Sequence, residues 1–270
     1  MTAISEIVFT DDELTVLARM VGEPVFPATH LPEHDDATWA AVARGLVARG
    51  AVLDGDPPAM VAGVEDLLGA VLYAERKLFL TLIHAPGEGA NSGEILCRRG
   101  DEIIRYTATE DGVNTLRRCG QAGIDALLAE ALDLREAGES EPGPARNVSD
   151  EDFLGALELN VSDGAIVAGA RYPAAAEYLE ALDDSRRMAT VISKRRLPDD
   201  RFEAAELTVN ASWHHGLWLA RDTPSPTRGR PGGVELQRVD ADTARAQITA
   251  LVATFGEPPS EPLQRRAFAR

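Results

Sequence analysis

Between Arg186 and Asp222 hydrophobic and polar positions alternate. Met188, Thr190 and Ile192 interleave with Ala189, Val191 and Ser193, a two-residue period rich in strand formers. Leu197-Pro198-Asp199-Asp200 interrupts it as a turn, and strand character resumes over Phe202–Asn210 and Trp213–Ala220. The period then lengthens. Ala244, Ile248, Leu251, Val252 and Phe255 fall on one helical face, with Asp240 as N-cap. The same plan occurs earlier in the chain. Lys77–His84 reads as a strand, Ala85–Ser92 as a loop, and Glu94–Arg99 with Glu102–Thr109 as a hairpin across Gly100-Asp101. Val113, Leu116, Ile124, Leu127, Leu128 and Ala131 then mark the stripe of a helix, capped by Thr109 or Asp111.

The order helix, meander, helix thus appears twice. It predicts an α+β (α/β) fold of two similar helix–meander–helix halves with quasi-two-fold symmetry, around a central antiparallel or mixed sheet flanked by helices. The repeat is one of pattern and not of residues.

The remaining segments fit this plan. Thr10-Asp11-Asp12-Glu13 caps a first helix with Leu14, Leu17, Ala18 and Val21 inward. Val25–His34 is a proline-broken connection. Asp36–Arg49 is a second helix, followed by a turn at Gly50, a short strand to Leu53, and a third helix over Ala59–Leu72. Glycine, proline, serine and charge dominate Glu136–Ser149. The expected division is therefore 1–135 for the first half, 136–148 for a linker, 149–255 for the second half and 256–270 for a mobile tail. Within the second half, helices are expected through Phe153–Leu159 and over Pro173–Leu182.

Composition narrows the function. The 270 residues carry a net charge of −17, which repels phosphate backbones and anionic lipid, so neither nucleic acid nor membrane is an expected partner. Cys97 and Cys119 are the only cysteines, too few for a disulfide framework and without metal-binding spacing. The N-terminal residues lack the basic start and apolar run of a signal peptide, so the expected location is cytoplasmic.

Two other function classes are open to this sequence. A helix, strand and turn over residues 36–56 is how a winged helix ends, which raises a DNA-binding regulator as the alternative. Arg44 and Arg49 there face Asp36, Asp54 and Asp56, so the patch is acidic where a recognition helix should be basic. The other alternative is an enzyme with a composite site not visible in sequence. His30 and His34 are four apart beside Asp35, but Pro32 between them breaks a helix. His214 and His215 are neighbours on an expected strand and would point to opposite faces. No P-loop, G-x-S-x-G or dinucleotide fingerprint is present. The expectation is a protein with no catalytic residue, no metal and no cofactor.

Three stretches carry a resemblance to a known family. The opening DELTVLARMVG with ATWAAVARGLVARGAVL, then LYAERKLFLTLIHAP, then Met188–Asp222 ending in GLWLARDT with GGVELQRVDADTARAQITALV, are similar to the EspG family of chaperones associated with ESX (type VII) secretion. The chain departs from the family after Thr223, where Pro224–Pro231 lengthens a loop. The resemblance implies a quasi-two-fold fold and a cytosolic role in holding a secreted helical pair of PE–PPE type soluble for export. It also implies that the loop after the first meander strand, and helices of the second half, contact the partner. The corresponding loop is Ala85–Ser92, whose Gly87, Glu88 and Asn91 are the candidate partner-binding residues.

Overall fold

Strict alternation builds the centre of the sheet. In Arg76–His84, Leu78, Leu80 and Leu82 are buried on one face while Phe79, Thr81 and Ile83 look to the other. The computed structural model describes residues 5–21, 35–88, 91–109, 111–120, 141–197, 202–223 and 232–256. The first half comprises β1 (Glu6–Thr10), α1 (Asp11–Met20), α2 (Asp36–Ala48), β2 (Val52–Leu53), β3 (Ala59–Met60), α3 (Ala62–Leu72), β4 (Arg76–His84), β5 (Ser92–Arg99), β6 (Glu102–Ala108) and β7 (Val113–Cys119). The second comprises β8 (Arg146–Ser149), α4 (Asp150–Asp163), α5 (Ala165–Arg171), α6 (Ala176–Asp183), β9 (Ser185–Arg196), β10 (Phe202–Ser212), β11 (Leu217–Thr223), β12 (Gly233–Val239) and α7 (Ala241–Gly256).

Ten of these strands form one sheet in the order β1-β7-β6-β5-β4-β9-β10-β11-β12-β8, and every pairing is antiparallel. Each half follows one plan: an edge strand, a run of helices, then a four-stranded meander whose last strand returns to the edge strand. The halves meet where β4 pairs with β9 from Arg76↔Arg195 to His84↔Arg187. The α+β fold with two-fold-related halves is therefore present, and the two meanders have the same strand order.

The register shows how the layers lie. Thr81, Thr190, Thr208, Ala220 and Leu236 form one cross-strand row. On that face α1–α3 cover the first half around Phe9, Leu14, Leu67, Tyr106 and Leu116. On the same face α4–α6 cover the second half around Ala168, Leu179, Trp218 and Leu236. The opposite face, with Leu80, Val191, Val209 and Leu219, is closed by α7 through Ala244, Ile248 and Phe255.

Local chemistry starts the elements where it should. Thr10 and Glu13 form a capping box at α1, and Asp240 accepts from Thr243 N–H at α7. Several expectations need correction. Val113–Cys119 is strand β7, not the start of a helix, so Thr109 and Asp111 cap nothing; Thr109 instead bonds across the turn to Val113. Ile124, Leu127, Leu128 and Ala131 lie outside the described residues. Asn114, polar in the sequence, is fully buried: its Oδ1 accepts from Tyr106 Oη at 2.7 Å and its Nδ2 donates to Asp11 Oδ1 at 2.6 Å. The third helix starts at Ala62, because Ala59–Met60 pairs with Val52–Leu53. The last residues of the expected linker, 146–148, belong to β8, which pairs with β12. The rest of the second-half helices divide as α5 and α6, with Pro173 ahead of α6. Residues 257–270 lie outside the described residues.

Replacing Asn114 by Ala is expected to cost about 1–3 kcal/mol, since a fully buried side chain that bonds both Tyr106 Oη and Asp11 Oδ1 would be lost. Urea denaturation of the variant beside Tyr106→Phe/Asn114→Ala checks this. The double variant should recover part of the loss, because the hydroxyl that Asn114 serves is removed with it.

Candidate partner-binding surface

The loop after β4 closes onto the start of β9. Ala85 N–H donates to Arg186 O at 2.8 Å. Gly87 takes φ 87°, a left-handed conformation that glycine adopts without strain. The Glu88 carboxylate pairs with the Arg186 guanidinium at 3.2 Å, and Asn91 Oδ1 accepts from the His84 backbone N–H at 2.9 Å. All three candidate residues therefore sit at one end of the sheet, with Glu88 and Asn91 anchoring the loop. The loop is shorter than the sequence suggests, because Ser92 already pairs with Leu82 in the ladder.

Arg186 links the loop to the β10–β11 turn. Its guanidinium lies 4.8 Å from the centre of the Trp213 ring, which is half exposed. Trp213, His214 and His215 are in that turn and not in a strand; Gly216 at φ 73° bends the chain there. The turn is pinned to Asp184. Trp213 N–H donates to Asp184 O at 3.1 Å, and Ser212 Oγ and His214 N–H each donate to Asp184 Oδ2 at 2.7 Å. His214 Nδ1 lies 3.0 Å from the same oxygen.

Burial pushes the Asp184 carboxyl up. The bonds from Ser212, the His214 backbone and the His214 ring, with the ring's charge, outweigh it and hold the carboxyl below its ordinary value. A depressed carboxyl stabilises the fold above the ordinary carboxylate range, and that contribution is lost as pH falls through the folded-state titration. The stability difference between the native chain and Asp184→Asn should therefore shrink as pH is lowered below about 4. Thermal melts of both proteins from pH 5 to pH 2 check this; a difference that holds to pH 2 would detach Asp184 from the turn's stability.

The neighbouring Asp183 builds the next piece of the surface. Its Oδ1 accepts from Asn160 Nδ2 at 2.8 Å and its Oδ2 from Ala165 N–H at 3.3 Å, fixing the corner where α4 turns into α5 at Gly164. Small residues line the inside of this bundle. A Cβ on Gly169 would lie 2.9 Å from the Ala176 Cβ, and one on Gly155 would lie 2.5 Å from Tyr172 Oη. At these two points the helices approach too closely for a larger side chain, and four large apolar residues of α4 and α5 point outward. Val161 is 88% exposed, Ile166 84%, Leu154 60% and Val167 49%. Apolar side chains left in water near a pinned aromatic turn make this corner the candidate contact surface.

The arrangement offers little for catalysis. Ser212 is buried and directs its hydroxyl at Asp184, not at the His214 ring, so the three residues lack the order of a nucleophile, base and orienting acid. Burial pushes the Cys97 thiol up to about 12, against a smaller opposing effect of Lys77, so it is not a reactive thiolate. Among the described residues no group of three or more His, Cys, Asp or Glu is placed to hold a metal. His30 and His34 lie outside the described residues. Arg49, one of the two arginines of the winged-helix alternative, is committed within the fold, to Glu13 at 2.6 Å and to Val8 O at 2.7 Å. Among the described residues no helix is long and apolar enough to cross a membrane.

The site and the fold together define a two-fold-related α+β scaffold with an exposed apolar corner beside a rigid turn. No family model matches the sequence, and no curated protein matches it. Its fold is similar to that of the Mycobacterium tuberculosis type VII secretion system chaperone EspG5, solved in complex with a PE25–PPE41 dimer. The two superpose with a TM-score of 0.56 at 16% identity, over 96% of this chain and 98% of that one. The EspG-like resemblance thus extends to the three-dimensional fold.

Proposed function

We propose that this protein is a cytosolic chaperone of the EspG type. It binds a helical type VII secretion substrate, a PE–PPE pair or an analogous one, and keeps it soluble for export. The observation that carries the reading is the exposed apolar corner of α4 and α5, set on a fold shared over nearly its whole length with a chaperone solved together with such a dimer. The loop holding Gly87, Glu88 and Asn91 adds a second contact. Through Glu88, Arg186 and Trp213 it stands at the same end of the sheet as that corner. The chemistry of the site agrees with holding a partner rather than transforming one.

Co-expression tests this. A PE–PPE type pair encoded beside this chain's own gene should be insoluble or degraded alone, and should become soluble and co-purify with the tagged chain. Equal recovery of the pair with and without this chain, and no co-purification, would refute the reading.

A further inference from the structure

The exposed apolar residues do not stand on neutral ground. Residues 150–184 carry nine carboxylates against the single Arg171, a large share of the chain's net charge of −17. Some of these carboxylates are engaged within the fold. Glu177 pairs with Arg146, Asp183 and Asp184 hold the corner and the turn, and Glu180 faces His215. Others border the apolar surface itself. Glu151, Leu154, Glu158 and Val161 follow one another at three- and four-residue spacing, so they share the outward stripe of α4. All four are exposed, as is Asp163 at the corner before Ile166 and Val167.

A neutral or acidic helix laid on this stripe would bury Val161 and Ile166 favourably. It would also strip water from Glu158 and Asp163 with nothing in exchange, or set like charges together. A helix with basic residues beside its apolar face meets both demands: its apolar side chains cover Val161, Ile166 and Val167, and its cations replace the lost water. Resting on the chaperone reading above, we propose that the α4–α5 surface selects an amphipathic helix whose apolar face is bordered by lysine or arginine. The carboxylates of the stripe would steer its approach and discriminate among partners.

Two synthetic helical peptides with identical apolar faces, one flanked by lysine and one by glutamate, test this against the full-length chain by fluorescence anisotropy at low and physiological ionic strength. The lysine peptide is expected to bind at least tenfold more tightly, with the advantage shrinking as salt rises. Glu158→Gln with Asp163→Asn should remove most of that advantage. The same change in charge at the exposed Asp66 and Asp101, on other parts of the fold, should leave it intact. Equal affinity for the two peptides, or equal loss from both pairs of substitutions, would overturn the proposal. A PE–PPE type pair that is still captured in that case would leave the chaperone reading standing. Selective peptide binding with no capture of any such pair would instead remove the chaperone reading and keep the surface.

Discussion

Phe255→Ala is expected to destabilise the protein by about 3–5 kcal/mol, a midpoint shift on the order of 10 °C. Phe255 is fully buried under the sheet in the cluster with Leu80, Val191, Ile248 and Val252. Its carbonyl also accepts from Arg98 Nη1 at 3.3 Å, which ties the end of α7 to β5. Truncation to alanine would remove the ring and leave a cavity between α7 and the strands at the junction of the two halves. Because α7 packs on β4, β9 and β10 together, both halves should lose stability in one transition. Calorimetry checks this. A variant that melts within a degree or two of the native chain would mean that α7 contributes little to the core.

Val161→Ser with Ile166→Ser should have the reverse profile. Both side chains are already in water, so stability should stay within about 0.5 kcal/mol of the native value. Affinity for a captured helical pair should fall by about a hundredfold, roughly 2.7 kcal/mol, since two apolar anchors near the centre of a contact carry far more than its rim. Isothermal titration against the purified pair, beside a thermal melt, separates the two effects. Lost affinity with lost stability would point to misfolding, and retained affinity would take the α4–α5 corner out of the contact.

Much of this fold was legible in the sequence, and the failures have physical causes. The alternation of Leu78, Leu80 and Leu82, and of Ala189 and Val191, marks the strands at the two-fold junction because both are central strands with one face under α7. β7 was misread because Val113 and Leu116 sit at helical spacing while Asn114 looks like a surface residue. In the structure Val113 is 40% exposed and Asn114 is buried, on account of Tyr106 and Asp11 from other elements. β1 and β8 carry little sequence signal because an edge strand needs few buried residues: Phe9 in one, Val148 in the other. Their pairing with β7 and β12 is long-range information. The turn at Trp213 is concealed because Trp213 and Trp218 look like strand residues, and Gly216 is the available signal.

The proposed contact surface was harder to read than the fold. A sequence search for function favours helices with large apolar residues inward. In α4 and α5 the fully buried positions are glycine and alanine, while Val161 and Ile166 point out, which departs from that pattern. Gly87, Glu88 and Asn91 were singled out for loop length. The structure gives Glu88 and Asn91 anchoring bonds that no local pattern announces.

Hydrogen–deuterium exchange of the free chain and of the chain bound to a co-purified PE–PPE type pair tests both the partner and the place. Slower exchange is expected in the bound state over residues 158–167 at the α4–α5 corner, over the turn at 212–216, and at 85–88 in the loop after β4. The interior strands β4 and β9 should change little. Protection confined to other surfaces, or identical exchange with and without the pair, would contradict a chaperone that holds its substrate at this end of the sheet.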